Sequence, residues 1–577
     1  MGSGKHLLDE NIDNLIITAL RGLARCNPAL ILDPTHRVAY IKSSQSRVHL
    51  VSGGGSGHEP GSAGFVGENL LDCAVSGDVF ASPSAAAVTA GIRALTPHPV
   101  LVVILNYTGD RLHFGIAIEN ANRLGQQVEF VVVADDVSVG KTQGGRVGRR
   151  GLAGILLVQK VAAGCAVSGK DLMEVKALAE EVTHNLVTVG ASLTHASVPG
   201  STGEEIDLGS DEIEIGMGIH NEPGFKKIKT PKISDLSRLL LKQLLAQDDK
   251  ERSFVPFKSG DEVVLLINNL GGISALELYH FTQIVSSQVE TDWELKIVRT
   301  YAGSFVTSLD GAGVSITLLN VSNIKESSVL LEHLDLPSTA PGWNNALKAS
   351  AWAAKAEEVA TRTEVKEKSR VDISIDSKTT RTLIEGACKS LVASESEITK
   401  YDTVAGDGDA GLTLKSAAES VLAAIEANKI SLSNLVDTFG DIASVLEAKM
   451  GGTGGALYTI FFNALSSSLN NESDRQADAS LLAQTIHNAV GRLQTYTTAI
   501  VGDKTLMDAL LPFSETFVKT GSFEAAVEAG KKGATSTKGM AAGLGRATYV
   551  DKSAASTVPD AGAIGVQKLL EGILVNL

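Results

Sequence analysis

Strand-length apolar runs crowd the first part of this chain and nearly vanish from the last, and that asymmetry constrains the fold most. VHLVS (48–52), VLVVIL (100–105), VEFVVVA (128–134), EVVLLIN (262–268) and VSITLLNV (314–321) are apolar almost throughout. Such runs fit strands covered on both faces. Helical stretches such as Ser84 to Leu95 and Asp171 to Leu186 separate them. The alternation predicts an α/β domain over 1–345, in two lobes of about 1–190 and 191–345. From Ala346 the sequence turns rich in Ala and charge, which reads as a partly helical linker over 346–377. Beyond it, segments 416–428, 433–449, 478–495 and 523–534 carry helical periodicity, so 378–577 is expected to be all-α.

The net charge is −15 and no basic block interrupts it, which argues against nucleic acid or an anionic membrane as partner. The apolar runs are too short to span a bilayer, and MGSGKHLLDENID holds no apolar signal core. Cys26, Cys73, Cys165 and Cys388 are scattered without metal or redox spacing. They read as reduced thiols of a cytoplasmic protein.

Four motifs stand out in the first domain. SGGGSGHEP (52–60) follows an apolar strand, where glycines let backbone N–H groups wrap a small polar ligand with His58 at the rim. It is neither a Walker A loop nor GxGxxG. NYTGDRLHFG (106–115) lies at the C-terminal edge of another strand, where α/β sheets bind ligands, and Asp110 there could take a hydroxyl proton. MGIHNEPG (217–224) sets His220 in a Gly-flanked loop, and INNLGG (267–272) runs a strand into a turn.

DTVAGDGDAGLT (402–413) is the sharpest constellation in the second domain. Asp402, Asp407 and Asp409 fall at i, i+5 and i+7 around a Gly-containing bend. Converging carboxylates repel unless a cation neutralises them, and Mg²⁺ takes carboxylate oxygens while leaving positions for phosphates. An EF-hand fits poorly, since no Glu stands at position 12 of the loop. MGGTGGAL (450–457) opens a helix with glycines suited to phosphate oxygens. VGDKTLMDAL (501–510) and AGLGRATYV (542–550) add Lys504 and Arg546 near Gly turns. Together these loops predict a Mg-nucleotide site at one end of a helical bundle.

In combination, SGGGSGHEP, NYTGD, GMGIHNEPG, GDGD, MGGT and GRATY resemble the single-chain ATP-dependent dihydroxyacetone kinases, or triokinases, of fungal and other eukaryotic type, over essentially the whole chain. The resemblance implies a substrate domain of two α/β lobes and an eight-helix-barrel nucleotide domain. It also implies a homodimer in which each nucleotide domain serves the partner's substrate domain. His220 would bind the carbonyl of dihydroxyacetone or glyceraldehyde as a hemiaminal, which glycerol cannot form. His58 and Asp110 would handle protons, and Gly53, Gly54, Gly55 and Ser56 would frame the substrate. Asp402, Asp407 and Asp409 would hold two Mg²⁺ ions on ATP. Ala405, Gly406, Gly408, Thr413, Gly451, Gly452, Thr453, Lys504, Thr505, Met507, Arg546, Asp560, Ala561 and Gly562 would border the nucleotide with Asp407.

Three departures stand out against that resemblance. Leu105 occupies a position where many relatives carry Lys, Thr498 and Ile500 replace a YTKAR-like stretch, and Ala561 replaces the Pro of DPGA. Two alternatives follow. One is a Mn²⁺-preferring lyase that splits FAD into AMP and cyclic FMN at the same nucleotide site. The other is a non-catalytic carbonyl-sugar binding protein, against which the combination of His220 with an Asp triad argues.

Overall fold

The computed structural model describes residues 14–42, 46–199, 208–344, 347–352, 371–541, 543 and 556–577. The chain divides into two compact units, Met1–Val359 and Ala360–Leu577. Among the described residues, no helix is long and apolar enough to cross a membrane.

The first unit holds two six-stranded sheets. One contains β1 (Ile31–Asp33), β2 (Val38–Tyr40), β3 (His49–Ser56), β4 (Cys73–Val79), β5 (Val100–Leu105) and β6 (Val128–Val133). Its order is β1-β2-β4-β3-β5-β6, with β4, β3, β5 and β6 parallel. All six residues of β5 are buried, as its unbroken apolar run requires. The other sheet contains β7 (Leu186–Ser192), β8 (Glu212–Ile215), β9 (Lys226–Lys229), β10 (Glu262–Asn269), β11 (Lys296–Gly303) and β12 (Gly313–Asn320). It runs β11-β10-β12-β7-β8-β9, antiparallel except for β10 with β11. The sheet changes a few residues before 190, because the helix Leu172–His184 ends at Asn185 and β7 begins at Leu186.

One apolar core joins residues of both sheets through the helix Ile155–Val167. Twelve of that helix's residues are buried, so it is a central element without a solvent face. Separate cores cover the outer faces of the two sheets.

Among its described residues, the second unit is all-α but for one short strand pair, as its helical periodicity leads one to expect, and it forms the eight-helix barrel that the family resemblance implies. The helices Ser377–Ala393, Ala410–Glu426, Leu435–Lys449, Gly452–Leu469, Ala479–Leu493, Met507–Thr520, Phe523–Ser536 and Ala561–Leu574 each pack on the next. The helix Ala561–Leu574 packs back on Ser377–Ala393 and closes the ring, with Glu395–Ala405 lying against its outside. At the seam, a Cβ on either Gly386 or Gly572 would sit 2.5 Å from the other's carbonyl oxygen, so two glycines let these backbones touch. The ring encloses an apolar cavity of about 510 Å³, walled by residues such as Leu414, Val421, Phe439 and Phe513. The only strand pair among the described residues of this unit is Ile373–Ser374 with Arg475–Gln476.

An up-and-down ring puts alternate connections at the same end. The connections 394–409, 450–451 and 494–506 therefore share one end with the described residues 537–541 and 556–560. The first three carry or border three of the motifs that the sequence singled out, and 542–550, apart from Gly543, lies outside the described residues.

Candidate active site: a paired-histidine cavity and an acidic barrel end

Gly53, Gly54, Gly55, His58, Asp110 and His220 line one cavity in the first unit. The glycines belong to β3 itself, where a loop was expected to follow the strand. A Cβ on Gly53 would lie 2.3 Å from Val75 O, and one on Gly55 2.8 Å from Ala81 N, so β3 meets its neighbours too closely for side chains there. A Cβ on Gly54 would come within 3.8 Å of Asp110 Oδ2, which places this backbone beside the acid. Ser56 does not line the cavity, and its hydroxyl donates to Gly77 O at 2.9 Å.

His58 and His220 arrive from different sheets. His220 occupies the tip of the β8–β9 hairpin, where Asn221 takes a positive φ of 62°. The Asn221 carboxamide anchors that tip by exchanging hydrogen bonds with Ala196 N and O. Ser308 Oγ donates to Ile219 O at 2.7 Å. The INNLGG motif contributes indirectly. Asn268 Oδ1 accepts from Phe305 N and Val306 N, and so holds the segment that carries Thr307 and Ser308.

The tautomers follow from the partners. His58 Nδ1 lies 2.7 Å from Thr307 O, an acceptor, so Nδ1 carries the proton. His220 Nδ1 faces Glu222 Oε1 at 2.9 Å and is likewise protonated. The two Nε2 atoms, 3.0 Å apart with the rings edge to face, can share only one further proton. Burial, with the neighbouring His220 ring adding to it, pushes His58 down to about 3. Burial opposes ionisation of Glu222, but its bonds to the His220 ring and backbone prevail and hold it down at about 2. The sequence reading missed Glu222, although it stands two residues after His220 in the same turn.

Asp110 is in the first turn of the helix Thr108–Arg123, 5% exposed, and its Oδ1 has no hydrogen-bond partner. Burial raises its pKa, against a hydrogen bond from Ser82. A carboxylate so placed is a stronger base than one in water.

Neutral burial of His58 makes stability depend on pH. The unfolded ring binds a proton below its ordinary 6.5, whereas the folded ring does so only near 3. Its stabilisation is therefore complete above pH 6.5 and drains as pH falls. Relative to His58→Gln, the wild type should lose about 1.2 kcal/mol between pH 6 and 5. Urea midpoints across that range test this, and parallel curves for the two proteins refute it.

At the barrel end, Asp402, Asp407 and Asp409 bring carboxylate oxygens within 4.8 Å of one another. Asp402 Oδ2 also accepts from Asp409 N and Ala410 N, which starts the helix Ala410–Glu426. A Cβ on Gly406 would lie 2.3 Å from Asp402 Oδ1, so a side chain there would displace that carboxylate. Gly408 turns the loop with φ +79°. Three acceptor-only groups this close fit a hard divalent cation such as Mg²⁺. Gly451 and Gly452, ahead of Thr453, have open space where a Cβ would be. Thr413 follows in the helix that Asp402 caps, one turn beyond Asp409.

Asp560 caps the helix Ala561–Leu574 by accepting from Ala563 N at 2.7 Å. Burial raises it to about 6, and the nearby charges of Asp508 and Asp402 push the same way. Gly562 lies against Leu506, which brings the 504–507 and 560–562 segments together. Thr505 N donates to Asp508 Oδ2, Thr505 Oγ1 accepts from Met507 N, and Met507 itself is buried. Lys504 Nζ donates to Thr537 O and Val558 O, so it ties these loops together. Arg546 lies outside the described residues, and Ala405 ends the helix that carries Asp402.

The comparisons agree with this division. Residues 21–342 match the Dak1 domain and 404–575 the DAK2 domain. The dihydroxyacetone kinase of Pichia angusta is 44% identical over 97% of this chain and 96% of its own length. Dihydroxyacetone kinase 2 of Saccharomyces cerevisiae is 40% identical, with 97% and 98% covered. The crystal structure of the dihydroxyacetone kinase from C. freundii in complex with AMP-PNP and Mg²⁺ superposes with a TM-score of 0.70 at 28% identity, covering 100% of both chains. With both domains present in order and relatives this similar end to end, the chain belongs to the dihydroxyacetone kinase family.

Proposed function

We propose that this protein transfers the γ-phosphoryl group of ATP to dihydroxyacetone, holding the ketone covalently on His220. The observation that carries the reading is the His220 imidazole, its Nδ1–H fixed on Glu222 and its Nε2 aimed at His58 Nε2 in a cavity shared with Asp110. The Nε2 lone pair adds to the carbonyl carbon, and the C=O π pair moves to oxygen. That oxygen takes the proton shared by the histidines, through His58. The Glu222 carboxylate stabilises the alkylated, cationic imidazole. Asp110 then accepts the proton of the hydroxyl that attacks phosphorus.

Asp402, Asp407 and Asp409 would hold Mg²⁺, two ions in this reading. Bound magnesium supplies charge neutralisation for the phosphates. The loop residues at the same barrel end position the nucleotide. The protein acts in the cytoplasm as a homodimer with domain exchange, and takes glyceraldehyde as well.

ADP release from Mg-ATP tests the activity. Dihydroxyacetone should support it and glycerol, which has no carbonyl, almost none. Absence of release with either from folded protein, or equal release with both, overturns the reading.

A further inference from the structure

The cavity wall holds two polar side chains, Ser62 and Gln159, that neither the motifs nor the mechanism uses, and of the two only Gln159 is buried. Gln159, on the central helix Ile155–Val167, is fully buried and lines the same cavity as His58, Asp110 and His220. Its Nε2 donates to Ser52 Oγ at 3.0 Å. Ser52 is also fully buried, and its Oγ lies 2.7 Å from Val103 O. A backbone carbonyl can only accept, so the Ser52 hydroxyl spends its single proton there and is an acceptor towards Gln159. The carboxamide must therefore turn its NH₂ to Ser52, which fixes Oε1 without appeal to the electron count of the two ends.

That oxygen has no hydrogen-bond partner. Of the other side chains on the wall, Phe65, Leu105, Ile155 and Val306 have no donor, the Tyr107 hydroxyl donates to Gly151 O at 3.1 Å, and the Ser62 hydroxyl makes no hydrogen bond to Oε1. Burying an acceptor without a donor is unfavourable, and a ligand that brings a donor removes the penalty. Asp110 Oδ1 is the second buried acceptor on this wall without a partner. One cavity thus presents two unmet acceptors beside a histidine nucleophile.

We propose that Gln159 is the specificity-determining residue for the substrate hydroxyl that is not phosphorylated. Its Oε1 accepts a hydrogen bond from that hydroxyl while Asp110 receives the reacting one. The inference rests on the kinase reading and deepens it: the site selects small carbonyl compounds with two hydroxyl groups over those in which one hydroxyl is replaced by hydrogen. A site built to bond a hydroxyl rejects the analogue that lacks it, because its own polar group is then left unpaired.

Hydroxyacetone is the matched probe. It keeps the ketone and one hydroxyl, and carries a methyl group where dihydroxyacetone has its second hydroxymethyl group. With the full-chain protein, kcat/KM for Mg-ATP-dependent phosphorylation should favour dihydroxyacetone over hydroxyacetone by about 10- to 100-fold. In Gln159→Met, which conserves volume and removes the acceptor, the ratio should fall to within about threefold of unity. Ser52→Ala releases the carboxamide and should lower the ratio too, which gives a second reading should Gln159→Met fail to fold. A wild-type ratio near one, or an unchanged ratio in either folded variant, overturns the proposal and leaves the kinase reading standing. Failure of the wild type to phosphorylate either ketone overturns both.

Discussion

His220→Ala should abolish the covalent adduct between protein and dihydroxyacetone in native mass spectra, and lower kcat/KM for the ketone by on the order of 10³- to 10⁴-fold. The effect is large because, in the proposed mechanism, His220 Nε2 is the nucleophile and performs the step on which the others depend, with Glu222 and His58 at its two nitrogens. Alanine also leaves Glu222 without its ring partner and His58 without the nitrogen that shares its proton. The fold should survive, since His220 is at a hairpin tip that Asn221 and Ser308 hold independently. An adduct of unchanged yield in the variant would remove His220 from the nucleophile's role.

Asp407→Ala should weaken Mg-dependent ATP binding by at least about 100-fold, read by calorimetry with and without magnesium. The triad's geometry makes a second readout available. Three carboxylates within 4.8 Å repel one another when no cation is present. Removing one should leave the magnesium-free melting temperature unchanged or raised, while the stabilisation by Mg-ATP disappears. Unaltered nucleotide affinity would reduce the cluster to a turn. A general loss of stability without magnesium would show that Asp407 serves the fold instead.

The sequence exposed those parts of the fold in which a single segment carries its own signal. The runs at 100–105 and 262–268 became β5 and β10 nearly residue for residue because both faces are covered and the runs are apolar but for Glu262 and Asn268 at the ends of the second. The strands β8, EIEI, and β9, KKIK, were missed because they are short and charged, with β9 largely exposed. β4, CAVSGDV, was hidden by its Gly, Ser and Asp, and β7 by the helix that runs almost into it.

The same holds at the site. His58, Asp110 and His220 stood in local Gly-rich motifs and meet in one cavity. Thr307, which sets the His58 tautomer, is 249 residues away and has no motif of its own. Gln159 was illegible for a different reason. It stands with Lys160 in an almost wholly buried helix, where one amide among Leu, Val and Ala reads as noise until its unpaired oxygen is seen. Lys504 read as a phosphate cation from its Gly-rich surroundings, but sequence cannot show that two carbonyls already hold its ammonium group.

The closure of the helical ring also orders events during synthesis of the chain. Every described strand of the two α/β lobes precedes the first helix of the ring, so the lobes can assemble while the barrel is still being translated. The barrel cannot do the same piecemeal. Its first helix meets its closing partner only at the Gly386–Gly572 seam, and that partner is made after the other seven helices. Until then the apolar faces of Ser377–Ala393 and Phe523–Ser536 lack their cover, and the Asp560 segment is not yet beside the Asp402 cluster. Every residue that lines the His58–His220 cavity is thus translated before the last helix can close the ring.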